Sequence, residues 1–160
     1  MQIQRNVLFL CTGNSARSQI AEGLVNHRLT GWRAWSAGVA PTGKVHPCAV
    51  HVMAEIGIDI TGQYSKSVDL FHNQAFDVVI TLCDHAAATC PVWLGAGARV
   101  HLGFPDPASG SDDPTLQLPV FRQVRDAIAE KVVAYLAHWH PTAPVLNWLT
   151  TGGPLDEPQS

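Results

Sequence analysis

Val7-Leu8-Phe9-Leu10-Cys11-Thr12-Gly13-Asn14-Ser15-Ala16-Arg17-Ser18 is the segment around which the chain is organised. Val7 to Leu10 form an apolar run of strand length, and Gln19-Ile20-Ala21-Glu22-Gly23-Leu24-Val25 has the spacing of an amphipathic helix with Ser18 near its start. Cys11 is therefore predicted between a strand end and a helix start. A tight polar loop at such a junction, here Thr12, Gly13, Asn14, Ser15, Ala16, Arg17 and Ser18, gathers backbone N–H groups into an anion-binding concavity, and the helix dipole adds partial positive charge. Arg17 contributes a planar fork of donors suited to a tetrahedral oxyanion. The same field favours thiolate over thiol at Cys11. A buried strand-end cysteine beside a surface arginine is the plainer reading, and the ordered succession of strand, loop, arginine, serine and helix argues against it.

The rest of the chain alternates in the same way. After a first helix ending near Thr30-Gly31, a second strand is expected at Trp32–Ala37, closed by Gly38. A second helix runs from Pro47 to about Ile56 with Val50, Met53 and Ala54 on one face, and a short helical piece lies near Val68–His72. Phe76–Leu82 is a β-branched run typical of a strand covered on both faces, and a fourth strand is expected at Arg99–Leu102. A Pro/Gly/Asp-rich loop from Gly103 to Pro114 precedes a long helix from about Leu118 to Ala137, with Val120, Val124, Ile128, Val132 and Leu136 at helical spacing. These elements predict an α/β domain in three layers, a central four-stranded parallel sheet flanked by helices. One catalytic domain over residues 1–138 and a Pro/Gly-rich tail over 139–160 are expected. Trp139, Val145, Leu146, Trp148 and Leu149 make the first half of that tail too apolar for a simple linker.

Composition narrows the classes of function. With 46% apolar and 14% charged residues in 160, the chain can bury a real core, and global disorder is not expected. A net charge of −3 with scattered Lys and Arg gives no nucleic-acid surface and no polybasic membrane anchor. No apolar stretch reaches membrane-span length, and Met1–Asn6 leads into a strand rather than a signal peptide, so a cytoplasmic location is expected. In that compartment the four cysteines read as catalytic, redox or metal residues rather than as a disulfide framework.

Cys83 follows the buried strand and should emerge at the same sheet edge as Cys11, with Cys90 in a loop seven positions later. Three thiols that can meet suggest serial thiol–disulfide exchange. A zinc site with His85 or His101 is the competing reading, although a paired Cys-x-x-Cys is missing. Cys48 is assigned no role. Asp106, between Pro105 and Pro107, either supplies turn chemistry or holds a carboxyl over the oxyanion site as a general acid.

Together the Cys11-x5-Arg17-Ser18 loop and the Asp106-Pro107 pair resemble the low-molecular-weight protein tyrosine phosphatases over nearly the whole chain to about residue 137. Within that superfamily, Cys83 and Cys90 are similar to the second and third cysteines of the thioredoxin-coupled arsenate reductases. That resemblance implies attack of Cys11 on arsenate, with phosphate and sulfate as competing oxyanions and Asp106 assisting loss of an oxygen as water. A Cys11–Cys83 disulfide forms next, then a Cys83–Cys90 disulfide that thioredoxin reduces, with no bound cofactor. It also implies a potassium ion beside the loop in some members, whose ligands are matched by Asn14, Glu22 and Ser36, whereas Lys66 stands where an aspartate would align. A lysine ammonium there would replace the ion and pair with Glu22. The alternative is a tyrosine phosphatase, which would normally carry aromatic residues after the Asp-Pro pair; Ala108-Ser109-Gly110-Ser111 follows here. A non-catalytic oxyanion-binding module is the third reading, and it leaves Cys11, Arg17 and Asp106 without a purpose.

Overall fold

A computed structural model of the protein describes residues 3–91 and 98–141. Strands β1 (Arg5–Cys11), β2 (Trp32–Gly38), β3 (Val78–Thr81) and β4 (Ala98–His101) alternate with helices α1 (Arg17–Arg28), α2 (Pro47–Glu55), α3 (Asp84–Thr89) and α4 (Pro114–Ala137). A 3-10 turn at Val68–Phe71 lies between α2 and β3. All four strands are parallel, in the order β2-β1-β3-β4.

The central strand explains its own sequence. Successive side chains of β1 face opposite layers, Val7 and Phe9 packing with Ile20, Leu24, Phe121 and Ile128, and Leu8 and Leu10 packing with Val68, Phe71 and Ala86. Both faces are covered, so the run from Val7 to Leu10 is continuously apolar and fully buried. From β1 the chain steps out to β2 and then returns to build β3 on the other side of β1. The carboxyl ends of β1 and β3 therefore flank the point where the winding reverses, the place where open α/β sheets bind ligands. Cys11 ends β1, and Cys83 lies two residues beyond β3.

Several local expectations change. Cys83 to Cys90 is not a plain loop, because Asp84–Thr89 forms α3, too short and alanine-rich to show a helical period. Helix α4 begins at Pro114 rather than near Leu118: Asp113 Oδ1 accepts the Thr115 N–H at 2.9 Å as a cap, and the helix passes through Pro119. Its buried stripe runs through Phe121, Val124, Ile128, Val132 and Leu136, while Val120 is exposed. In α2 the buried face is Cys48, Ala49, Val52 and Met53, leaving Val50 half-buried and Ala54 exposed.

Strand β3 is shorter than the expected Phe76–Leu82, although both of those residues are buried. Trp139, the first residue of the expected tail, sits edge-on against Trp32 at 5.4 Å between ring centroids, beneath the Arg5 guanidinium. Val145, Leu146, Trp148 and Leu149 lie outside the described residues.

Candidate active site

Residues 12–16 connect β1 to α1 as a loop folded over the sheet edge. Helix α1 starts at Arg17 with no side chain capping it, so the N–H groups of its first turn are open to an anion. Ser18 is inside the helix, and its hydroxyl turns to Cys11, with Oγ and Sγ 2.8 Å apart. Asn14 Nδ2 donates to Ser18 Oγ at 2.8 Å, so Ser18 links the asparagine to the sulfur.

Asn14 holds the loop in shape. It is fully buried with φ of 49°, a left-handed conformation that costs a non-glycine residue energy unless its side chain is satisfied locally. Its amide also donates to Ser36 Oγ at 3.0 Å, and its Oδ1 accepts the Lys66 backbone N–H at 2.9 Å. Gln19 Nε2 donates to the Asn14 carbonyl and Ser65 Oγ donates to the Gly13 carbonyl. Gly38, at the end of β2, lets this loop approach, since a Cβ there would lie 2.6 Å from the Thr12 carbonyl oxygen. The spacing pattern did not single out Gln19, Ser65 or Gly38.

Behind Asn14 lies a buried ion pair. Ser36 Oγ donates to Glu22 Oε1, and Lys66 Nζ stands 3.6 Å from the same carboxylate oxygen, 3.5 Å from Ser36 Oγ and 3.1 Å from the Tyr64 carbonyl. Burial pushes the Glu22 carboxyl up and the Lys66 ammonium down, with each partner's charge opposing the shift. Asn14, Glu22, Ser36 and Lys66 therefore come together as one network leading to the Cys11 sulfur.

The front of the loop opens into a cavity of about 380 Å³ lined by Cys11, Gly13, Arg17, Thr42, His46 and Asp106, among others. Asp106 Oδ1 accepts the Ala108 N–H at 2.9 Å in a local turn, and the residue also lines this cavity. Arg17 Nη1 donates to the Phe104 carbonyl at 3.0 Å, tying the loop to the Asp106 segment.

Cys83 caps α3, its sulfur accepting the Ala86 N–H at 3.4 Å and lying 3.3 Å from Thr12 Oγ1. It is thus at the rim of the Cys11 loop. Cys90 ends α3, half-buried against the same apolar layer as Cys83. Burial pushes the Cys90 thiol up, partly offset by Arg99. A second cavity of about 400 Å³ is lined by Arg17, Cys83, Asp84 and His101. His101 is engaged by Thr81 Oγ1 at 2.8 Å and Asp84 Oδ1 at 3.0 Å. Among the described residues no group of three or more His, Cys, Asp or Glu side chains is placed to hold a metal ion. Cys48 is buried, its thiol donating to Gln117 Oε1 at 3.6 Å. No helix among the described residues is long and apolar enough to cross a membrane.

Known proteins are similar to this chain in sequence and in fold. The chain is 45% identical over 130 residues to an arsenate reductase of Halalkalibacterium halodurans, covering 81% of this chain and 93% of that one. It is 42% identical over 133 residues to an arsenate reductase of Bacillus anthracis, covering 82% and 94%. A solved arsenate reductase in a phosphate-binding state superposes with a TM-score of 0.72 at 34% identity, over 84% of this chain and 98% of that one. Residues 6–142 match the family model for low molecular weight phosphotyrosine protein phosphatases, and with relatives this similar over most of its length the chain belongs to that family.

Proposed function

We propose that the protein reduces arsenate to arsenite through Cys11, Cys83 and Cys90 and is recycled by thioredoxin. The observation that carries this reading is the second thiol at the rim of the oxyanion loop, with Cys83 Sγ 3.3 Å from Thr12 Oγ1. A phosphatase has no use for a thiol there.

Arsenate is held by the loop amides and Arg17, where phosphate and sulfate compete. Cys11 attacks arsenic, and Asp106 protonates a departing oxygen, lost as water. Cys83 then attacks the Cys11 sulfur. The electron pair of the breaking S–As bond stays on arsenic, reducing As(V) to As(III), and arsenite leaves behind a Cys11–Cys83 disulfide. Cys90 attacks Cys83 and frees Cys11 as thiolate, so the disulfide moves outward to Cys83–Cys90. Thioredoxin's dithiol supplies the two electrons that restore the start, and the cycle uses no bound cofactor.

One step demands movement. Cys83 and Cys90 flank a helix, and seven residues at about 1.5 Å rise put their Cα atoms roughly 10 Å apart, beyond the ~7 Å limit for a disulfide. Helix α3 must therefore unwind as Cys90 attacks. The four free cysteines suit the reducing cytoplasm in which such a relay works.

Lys66 acts as a built-in cation for the loop. Its ammonium already sits between Glu22 and Ser36, so this donor set carries its own positive charge and does not fit an added potassium ion.

The test is arsenate turnover coupled to thioredoxin, thioredoxin reductase and NADPH, on wild type and on Cys11→Ser, Cys83→Ser and Cys90→Ser. All three substitutions should abolish turnover; loss with Cys11→Ser alone would discard the relay. The phosphatase alternative draws on the family model, since the loop alone does not separate phosphate from arsenate. An aryl phosphatase efficiency far above the reductase efficiency would favour it.

A further inference from the structure

One side chain of the oxyanion cavity has no part in the relay. His46 caps α2, and its Nδ1 accepts the Cys48 backbone N–H at 3.0 Å. Its own backbone N–H donates to the Ser15 carbonyl at 2.9 Å, and its ring lies against Phe121 at 4.7 Å between centroids. These contacts fix both the orientation and the tautomer of the ring. A nitrogen that accepts a hydrogen bond holds no proton, so the neutral imidazole carries its hydrogen on Nε2. Burial pulls the imidazole pKa down, Lys44 acts in the same direction, and the Asp106 charge opposes them. The neutral form is therefore the one present at neutral pH.

Nε2 has no hydrogen-bond partner among the described residues, and His46 is one of the residues lining the cavity that holds Cys11, Arg17 and Asp106. His46 and Asp106 share this cavity without a hydrogen bond between them. Both therefore face the space in front of the loop.

We propose that His46 is a binding residue of the oxyanion site, donating its Nε2–H to an oxygen of a tetrahedral oxyanion seated in the Cys11 loop. This rests on the reading of that loop as an oxyanion site. Three kinds of donor then surround the ligand: the loop amides, the Arg17 guanidinium and one neutral imidazole N–H. The imidazole adds a hydrogen bond and fixes orientation without adding a second formal charge beside the thiolate.

The experiment is NMR of the full chain labelled with 15N-histidine and 15N backbone, titrated with inorganic phosphate. The His46 Nε2 resonance should move with the same midpoint as the amides of Gly13 and Arg17, and the His46 pKa should rise because an anion now faces the ring. In kinetics, His46→Asn keeps a side-chain oxygen to cap α2 and loses the Nε2–H. Its KM for arsenate should rise about fivefold, the loss of one hydrogen bond, with kcat and Tm near wild type. If the loop amides saturate with phosphate while His46 Nε2 stays still, or if His46→Asn has the wild-type KM, His46 is a helix cap only and the proposal is overturned. If neither the loop nor His46 responds, the oxyanion reading fails and takes this proposal with it.

Discussion

The Cys11 loop and the Cys83–Cys90 segment meet at a 3.3 Å contact and are built in opposite ways. In the loop, Asn14, Ser18 and Gln19 are fully buried, and nearly every polar group has a partner on another element. In the second segment a six-residue helix buries one side chain, Ala86, and its polar ties beyond its own turn are few, chiefly Asp84 to His101. In the proposed chemistry the loop presents a nucleophile and an anion cradle in one geometry, and a rigid support serves that role. The segment is held weakly because, in the proposed relay, it must unwind. Low local stability is a requirement for an element that moves.

Replacing the nucleophile tests the first half most severely. Cys11→Ser should lower both arsenate reduction and aryl phosphate hydrolysis by about a thousandfold or more, because both begin at that sulfur. Steady-state assays of the two reactions check this. Residual reductase activity of a tenth or more would separate the two chemistries.

Cys83→Ser and Cys90→Ser should divide the two regions. Thioredoxin-coupled turnover should fall by about a hundredfold or more, while aryl phosphate hydrolysis stays within roughly threefold of wild type. Parallel kinetics on both substrates decide the point, and equal losses in both would mean that the segment supports the loop rather than following it.

The ion pair behind the loop gives the next effect in size. Lys66→Met leaves Glu22 buried without its cation and should cost about 3 kcal/mol at pH 7, measured by urea unfolding. The pH dependence has a definite sign. The Glu22 carboxyl is held above its ordinary range in the folded protein, so the folded state binds protons more tightly and loses stability as pH rises through that window. Removing Lys66 takes away its charge and its hydrogen bond, which lower the Glu22 pKa alongside the Ser36 hydrogen bond, so the window extends upward and the total loss grows. The variant should regain part of its deficit at pH 5, and a deficit independent of pH would count against a charged pair.

The smallest expected effect is an absence. With Lys66 supplying the cation, exchanging sodium for potassium at constant ionic strength should change reductase activity by less than about twofold. A several-fold rise with potassium would show that the pair does not replace the ion.

The extent to which the molecule could be read from its sequence follows the same division. The strand–loop–helix core was legible because β1 is covered on both faces and the loop chemistry is concentrated in consecutive residues. Cys83 was legible because parallel strands end at one edge. Helix α3 was not, since six alanine-rich residues carry no period. The start of α4 was obscured because Pro119 resembles a helix breaker, although Asp113 and Pro114 form an ordinary start signal. In α2 the apolar residues outnumber those one face can bury, so the pattern did not fix its phase. His46 and Gly38 reach the loop from tertiary packing alone.

In the proposed relay the two electrons that reduce arsenate come from the protein's thiols, and the oxidised state passes outward as a Cys83–Cys90 disulfide. The most direct measurement is a single turnover: reduced protein mixed with arsenate without thioredoxin, quenched with an alkylating agent and mapped by peptide mass. One arsenite per protein should accompany a Cys83–Cys90 disulfide, with Cys11 and Cys48 alkylated. Arsenite formed with Cys83 and Cys90 both alkylated would contradict the account.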